Sequence, residues 1–202
     1  RSHAKMSPYE VVAFQWSCHV IRSENAQPEH YEWINTAPAF PNFKFAEALM
    51  ELVPDNATML MWASHENTVL RHIYRQMDKR RYKNDVLKAW LESVVKMDKK
   101  DTGRFIDMDK FTLKHYFHPY MKGQTSIKKV LPAVWNHNSW LQEIPWLQEY
   151  VMFEDGELQS PYEALAKLLG ADEQGELVNE GSGAMRAYFE ILFGTGADDA
   201  RT

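Results

Sequence analysis

Residues 104–135 read RFIDMDKFTLKHYFHPYMKGQTSIKKVLPAVW, and the way apolar spacing changes along them decides the fold class. Phe105 and Ile106 are a short apolar run suited to a buried strand that ends at Asp107. From Asp109 the spacing turns helical: Phe111, Leu113 and Phe117 share a broad apolar face, with Lys110 and Lys114 outside it. Pro119 stops that helix and Gly123 permits a turn. Ser126 then stands as N-cap of a second helix, whose apolar face begins with Ile127, Val130, Leu131 and Val134 and which Pro132 is expected to limit to about two turns. Strand, helix, loop and helix in succession make an α/β pattern. The loop HPYMKGQTS (residues 118–126) sets rings, a lysine and hydroxyls on backbone loosened by a glycine, which suits gripping a phosphate chain better than filling a core.

The pattern continues upstream. Residues 11–21, VVAFQWSCHVI, alternate Phe14, Trp16, Cys18 and Val20 against Gln15, Ser17 and His19, the mark of a strand with one more polar face. Residues 30–35 form its hairpin partner, within a hairpin expected over 9–22 and 30–36. A helix starting at Pro41 or Asn42 carries the stripe Phe45, Leu49, Leu52 and Val53 and ends at Pro54-Asp55-Asn56. Residues 57–62, ATMLMW, have the length of a buried strand; Ser64 then caps a helix with Val69, Leu70, Ile73, Tyr74 and Met77 as its core face. A third helix presents Val86, Leu87, Trp90, Leu91, Val94 and Val95. Downstream, 136–160 read as irregular, 161–169 as a helix, 171–182 as acidic and glycine-bearing, and 184–193 as a last helix.

At 202 residues with 45% hydrophobic and 13% aromatic content, the chain has ample material for a core. A single cysteine, Cys18, rules out an internal disulfide and, with no apolar run of bilayer-spanning length, leads us to expect a cytoplasmic protein with no membrane partner. The net charge of −5 hides a segregation: residues 1–70 carry 4 basic against 8 acidic side chains, 71–129 carry 16 against 7, and 130–202 carry 3 against 13. A basic middle third suggests a polyanion, although helices rich in Lys and Arg also solvate themselves in this way.

Glu66 and Asp107 stand at the ends of two expected strands, where loops and helix N-termini converge on ligands in α/β sheets. Carboxylates there suit Mg²⁺ or Mn²⁺, because hard cations prefer oxygen and stabilise the attacking and leaving oxygens of a phosphodiester. The same acids also serve as ordinary helix-dipole partners. His115 and His118 form an H-x-x-H, but with Pro119 ending the helix and no third His or Cys nearby no zinc site is expected, and Cys18 reads as core. No Gly-rich phosphate loop, nucleophile elbow or dinucleotide fingerprint is present.

SPYEVVAFQWSCHVI (residues 7–21), WASHENTVL (62–70), residues 105–134 and PYEAL (161–165), in this order, resemble an uncharacterised bacterial domain family of the DEDD exonuclease group in the ribonuclease H-like superfamily. YMKG-x-x-SIKKVLPA at 120–133 is the most specific string. The resemblance implies one ribonuclease H-like domain over residues 1–202, a mixed sheet flanked by helices, with 136–202 less regular. It implies a metal-dependent, exonuclease-like nuclease acting on DNA or RNA, or a catalytically inactive nucleic-acid-binding or scaffolding module of the same fold. Glu66 matches the acid of the second motif and is the expected Mg²⁺ or Mn²⁺ ligand; Asp107 matches a recurrent strand-end Asp that orients such a site. Tyr120, Lys122, Lys128 and Lys129, with His65 and Asn67, are the expected nucleic-acid contacts. The family's first Asp-x-Glu motif and last Asp are not in this sequence, and Trp62 stands where many relatives have Asn. The remainder of a longer polypeptide is therefore an expected partner.

Overall fold

The structure is a computed structural model describing residues 6–168 apart from Pro8 and Lys99. Residues 171–182 and the helix expected at 184–193 lie outside the described residues. Where a single domain is expected over 1–202, the chain divides into two compact units, Arg1–Phe111 and Thr112–Thr202.

In the first unit, β1 (Gln15–Val20) and β2 (Glu29–Ile34) form an antiparallel hairpin that pairs Trp16 with Trp33 and Cys18 with Tyr31. Helix α1 (Asn42–Leu52) follows, then β3 (Met59–Met61), α2 (His65–Arg80), α3 (Asp85–Val94) and β4 (Phe105–Asp107). β3 and β4 run parallel, with Met59 opposite Phe105 and Met61 opposite Asp107, so the two expected strands are neighbours. The parallel pair is held at its start by Arg104, whose guanidinium donates to the carbonyls of Pro54 and Ala57. Phe45, Ala46, Leu70, Ile73, Met77, Leu87, Leu91, Val94 and Phe105 pack the core between helices and strands.

β1 begins later than the expected residue 11 because the backbone just before it is paired by side chains instead of a strand. Asn42, fully buried at the first turn of α1, accepts from the Ala13 N–H (2.8 Å) and donates to the Val11 carbonyl (2.9 Å). Gln76 Nε2 donates to the same carbonyl (3.0 Å), and Asn42 Nδ2 also donates to Gln76 Oε1 (2.6 Å). Two primary amides thus stand where a neighbouring strand's peptide groups would.

Helix α4 (Met108–His115) crosses the division between the units. The apolar face expected of it is not a core face: Phe111, Leu113 and Phe117 are exposed, and Thr112 is the buried residue of the helix. Residues 119–121 make a 3-10 turn, and α5 (Ile127–Asn136) runs through Pro132 for 10 residues, longer than expected. Its buried residues are Val130, Ala133 and Trp135, so packing on that stripe offsets the hydrogen bond the proline lacks. Residues expected to be irregular instead form α6 (Ser139–Glu143), a 3-10 turn (Pro145–Tyr150) and a small hairpin of β5 (Phe153–Glu154) and β6 (Glu157–Leu158), before α7 (Pro161–Leu168). The architecture is α/β, with the described strands joined as three two-stranded sheets. Among the described residues no helix is long and apolar enough to cross a membrane.

Candidate functional site

In the first unit, attention falls on the turn from β3 into α2. Ala63 takes a left-handed conformation (φ 66°) that side-chain-bearing residues seldom adopt, and the turn delivers Ser64, His65 and Glu66 to the helix start. Ser64 caps with its backbone: its carbonyl accepts from Thr68 N–H and Oγ1, and its hydroxyl makes no capping bond. His65 and Glu66 are exposed and border a cavity of about 390 Å³. Asn67 turns the other way. It is buried, accepting from the Lys96 N–H (2.8 Å) and donating to the Lys96 carbonyl (3.2 Å), so its amide fastens the end of α3 and is not presented to a ligand.

Asp107 sits opposite Met61, as the strand reading requires, but its carboxylate is spent on its own helix. Oδ1 accepts from the N–H groups of Asp109 (3.2 Å) and Lys110 (3.4 Å), and Oδ2 pairs with Lys110 Nζ at 3.3 Å, with the Asp107 side chain only 7% exposed. This is an N-cap arrangement. The donor set does not make a metal site: Glu66 is one exposed carboxylate, and no group of three His, Cys, Asp or Glu that could hold an ion occurs among the described residues. Cys18 borders the same cavity, and burial pushes its thiol above the ordinary range, which keeps it a protonated, poorly nucleophilic group.

In the second unit the loop between α4 and α5 is built to present cations. His118 Nδ1 accepts from the Tyr120 N–H (3.2 Å), Met121 is buried, and Tyr120 is 52% exposed. Lys122 (φ 51°) and Gly123 (φ 75°) both take left-handed conformations, reversing the chain before α5. Ser126 occupies the N-cap position without a side-chain capping bond, the first turn of α5 has no acid, and Lys128 and Lys129 are exposed there. Cations at a helix N-terminus oppose the helix dipole and leave its N–H groups facing more positive charge. Lys122, Lys128 and Lys129 make no ion pair among the described residues, whereas Lys79, Arg80, Lys88 and Lys110 do. The His137 ring lies 4.0 Å from that of His118 and 6.0 Å from that of Tyr120.

The family described as “Domain of unknown function (DUF2779)” matches residues 1–126, more than half of the 202. The chain belongs to this family. The DUF2779 match takes in Glu66, Asp107 and the Tyr120–Lys122–Gly123 turn, and stops at Ser126, before Lys128 and Lys129. No curated protein and no solved structure matches the chain.

Proposed function

We propose that this chain is a nucleic-acid-binding module of ribonuclease H-like, exonuclease-like type, gripping the phosphodiester backbone of DNA or RNA through the loop before α5. The observation that carries the reading is the set of three exposed lysines, Lys122, Lys128 and Lys129, gathered about a helix start that has neither an acid nor a side-chain cap. An uncapped helix N-terminus with cations beside it favours phosphate oxygens, and exposed Tyr120 offers a ring on which a base can stack. The test is binding of a fluorescent single-stranded oligonucleotide across a salt series. Lys122→Ala with Lys128→Ala should weaken binding for every sequence alike and make the slope of log K against log salt shallower by about 0.7 for each phosphate no longer neutralised. Unchanged slopes would remove the loop from the interface.

A second reading, a Mg²⁺- or Mn²⁺-dependent nuclease, is favoured by the position of Glu66 at the carboxyl end of a parallel strand, on the wall of a cavity. Because the described residues supply one carboxylate there, this reading needs further acids from the remainder of a longer polypeptide. Metal-dependent cleavage that disappears in Glu66→Gln while oligonucleotide binding persists would support it; cleavage unaffected by Glu66→Gln would move the site elsewhere.

A further inference from the structure

The polar face of the β1–β2 hairpin sets two imidazoles against each other. In the register of the hairpin Ser17 lies opposite Glu32 and His19 opposite His30. The Asn35 N–H donates to the Phe14 carbonyl, so by the alternation of an antiparallel ladder Trp16 with Trp33 and Cys18 with Tyr31 are the hydrogen-bonded pairs. His19 with His30 is then a non-hydrogen-bonded pair, the kind in which facing side chains come closest. Their ring centroids are 4.8 Å apart and the ring planes are 26° from parallel.

That is the spacing of two imidazoles that share an ion. With metal–nitrogen bonds of about 2.0–2.1 Å and a near-tetrahedral angle, one ion on both rings holds their centres about 5 Å apart. Ser17 holds one of the two rings in place: its Oγ lies 2.9 Å from His30 Nε2. With Nε2–H donating to that hydroxyl, Nδ1 of His30 keeps its lone pair for an ion, and ligating histidines are regularly oriented through the other nitrogen in this way. Cys18 stands apart from the pair, since successive side chains of a strand alternate and Cys18 lines the cavity beside Glu66. No third His, Cys, Asp or Glu completes a group among the described residues, so the remaining positions on such an ion fall to water.

We propose that His19 and His30 form a two-histidine site for a divalent transition metal of the class imidazole favours, Zn²⁺, Cu²⁺ or Ni²⁺, which clasps β1 to β2 one residue pair before the hairpin loop. Imidazole nitrogen selects these ions over Mg²⁺ and Mn²⁺, which suit oxygen ligands. The site is therefore separate from any nuclease centre at Glu66, and it does not depend on nucleic-acid binding by the loop before α5.

The test is a Zn²⁺ titration of the full chain, followed by calorimetry and by nitrogen-resolved NMR spectra of the histidine rings. Zn²⁺ should shift the ring nitrogens of His19 and His30, through Nδ1 in His30, while Mg²⁺ at the same concentration shifts neither. Both side chains are exposed, so His19→Gln and His30→Gln keep the fold. Because two rings grip one ion, either substitution should weaken Zn²⁺ binding at this site by about tenfold or more, and the double variant should be hardly weaker than the single ones. The other close pair, His118 and His137 with centroids 4.0 Å apart, is the internal comparison: Nδ1 of each is already engaged by backbone, at the Tyr120 N–H and the Ala133 carbonyl. His118→Gln and Cys18→Ser should therefore leave the His19 and His30 signals and the affinity unchanged. Rings of His19 and His30 that Zn²⁺ does not move would overturn the proposal. So would shifts that need millimolar Zn²⁺, as for a lone imidazole, or losses that simply add in the double variant, since both mean two independent rings. Loss of the affinity in Cys18→Ser or His118→Gln in place of His19→Gln would put the metal elsewhere and overturn it as well.

Discussion

At the scale of single residues, the side chains that matter most for stability are polar ones that stand in for backbone. Asn42 is fully buried and satisfies peptide groups on either side of Val12, so Asn42→Ala should cost about 2–4 kcal/mol, the size expected when buried donors and acceptors are left without partners. Chemical denaturation of the variant measures it, and a loss under about 0.5 kcal/mol would mean that water replaces the amide. Glu10 fastens the segment before β1 to the end of α2. It accepts from the Ser7 N–H (2.8 Å) and pairs with Lys79 (3.2 Å) and Arg80 (3.3 Å), the Arg80 guanidinium lying 3.6 Å from the centre of the Phe40 ring. Burial pushes the Glu10 carboxyl up, but the Ser7 N–H and the two cations together hold it below its ordinary value of 4.5. A carboxyl lowered by folding contributes stability that is present above its unfolded value and is lost as pH falls through its folded value. Glu10→Gln should therefore lower the melting temperature at neutral pH and leave it nearly unchanged well below pH 4.5, and melting curves of the two proteins across pH check the convergence.

At the scale of elements, the sequence made some joints plain and hid others for identifiable reasons. The parallel pairing of β3 with β4 was legible because short apolar runs each followed by a helical pattern leave few alternatives to neighbouring parallel strands. The exposure of Phe111, Leu113 and Phe117 was not, since periodicity reports which residues share a face but not whether anything packs on it. The β5–β6 hairpin has strands of two residues each, too short to show an alternation, and its one sequence signal is the tight turn at Asp155-Gly156, with φ of 52° and 83°. The site was legible in type and less so in role: Asp107 proved to be a helix cap and Asn67 a buried clamp, because the same residue types serve both purposes. A strict element-scale demand falls on Gly103, which turns the chain into β4 at φ 53°. A Cβ there would meet Lys96 Cγ at 2.7 Å and the Val94 carbonyl oxygen at 2.9 Å. Gly103→Ala should cost about 1–3 kcal/mol through strain and crowding, visible as a lower denaturation midpoint with an unchanged slope.

At the scale of the whole molecule, the segregated charge sets how nucleic-acid binding should respond to ionic strength. The net charge of −5 opposes approach of a polyanion, while residues 71–129 carry 16 basic against 7 acidic side chains and residues 130–202 carry 3 against 13. Which of these a phosphate feels depends on the screening length, about 8 Å at physiological salt and about 30 Å at 0.01 M. In the first condition the lysines of the loop before α5 act almost alone, and binding should strengthen along a straight line as salt is lowered, by counterion release. In the second the acidic segments come within range and their repulsion should offset part of the gain. The expected plot of log affinity against log salt is therefore linear near physiological salt and flattens below about 0.03 M. Measuring anisotropy of one labelled oligonucleotide from 0.3 M down to 0.01 M, ranges chosen to span those screening lengths, decides the matter. A line that stays straight to the lowest salt would mean that the acidic segments never oppose the ligand, and a flat response throughout would mean that the lysines do not meet phosphate at all.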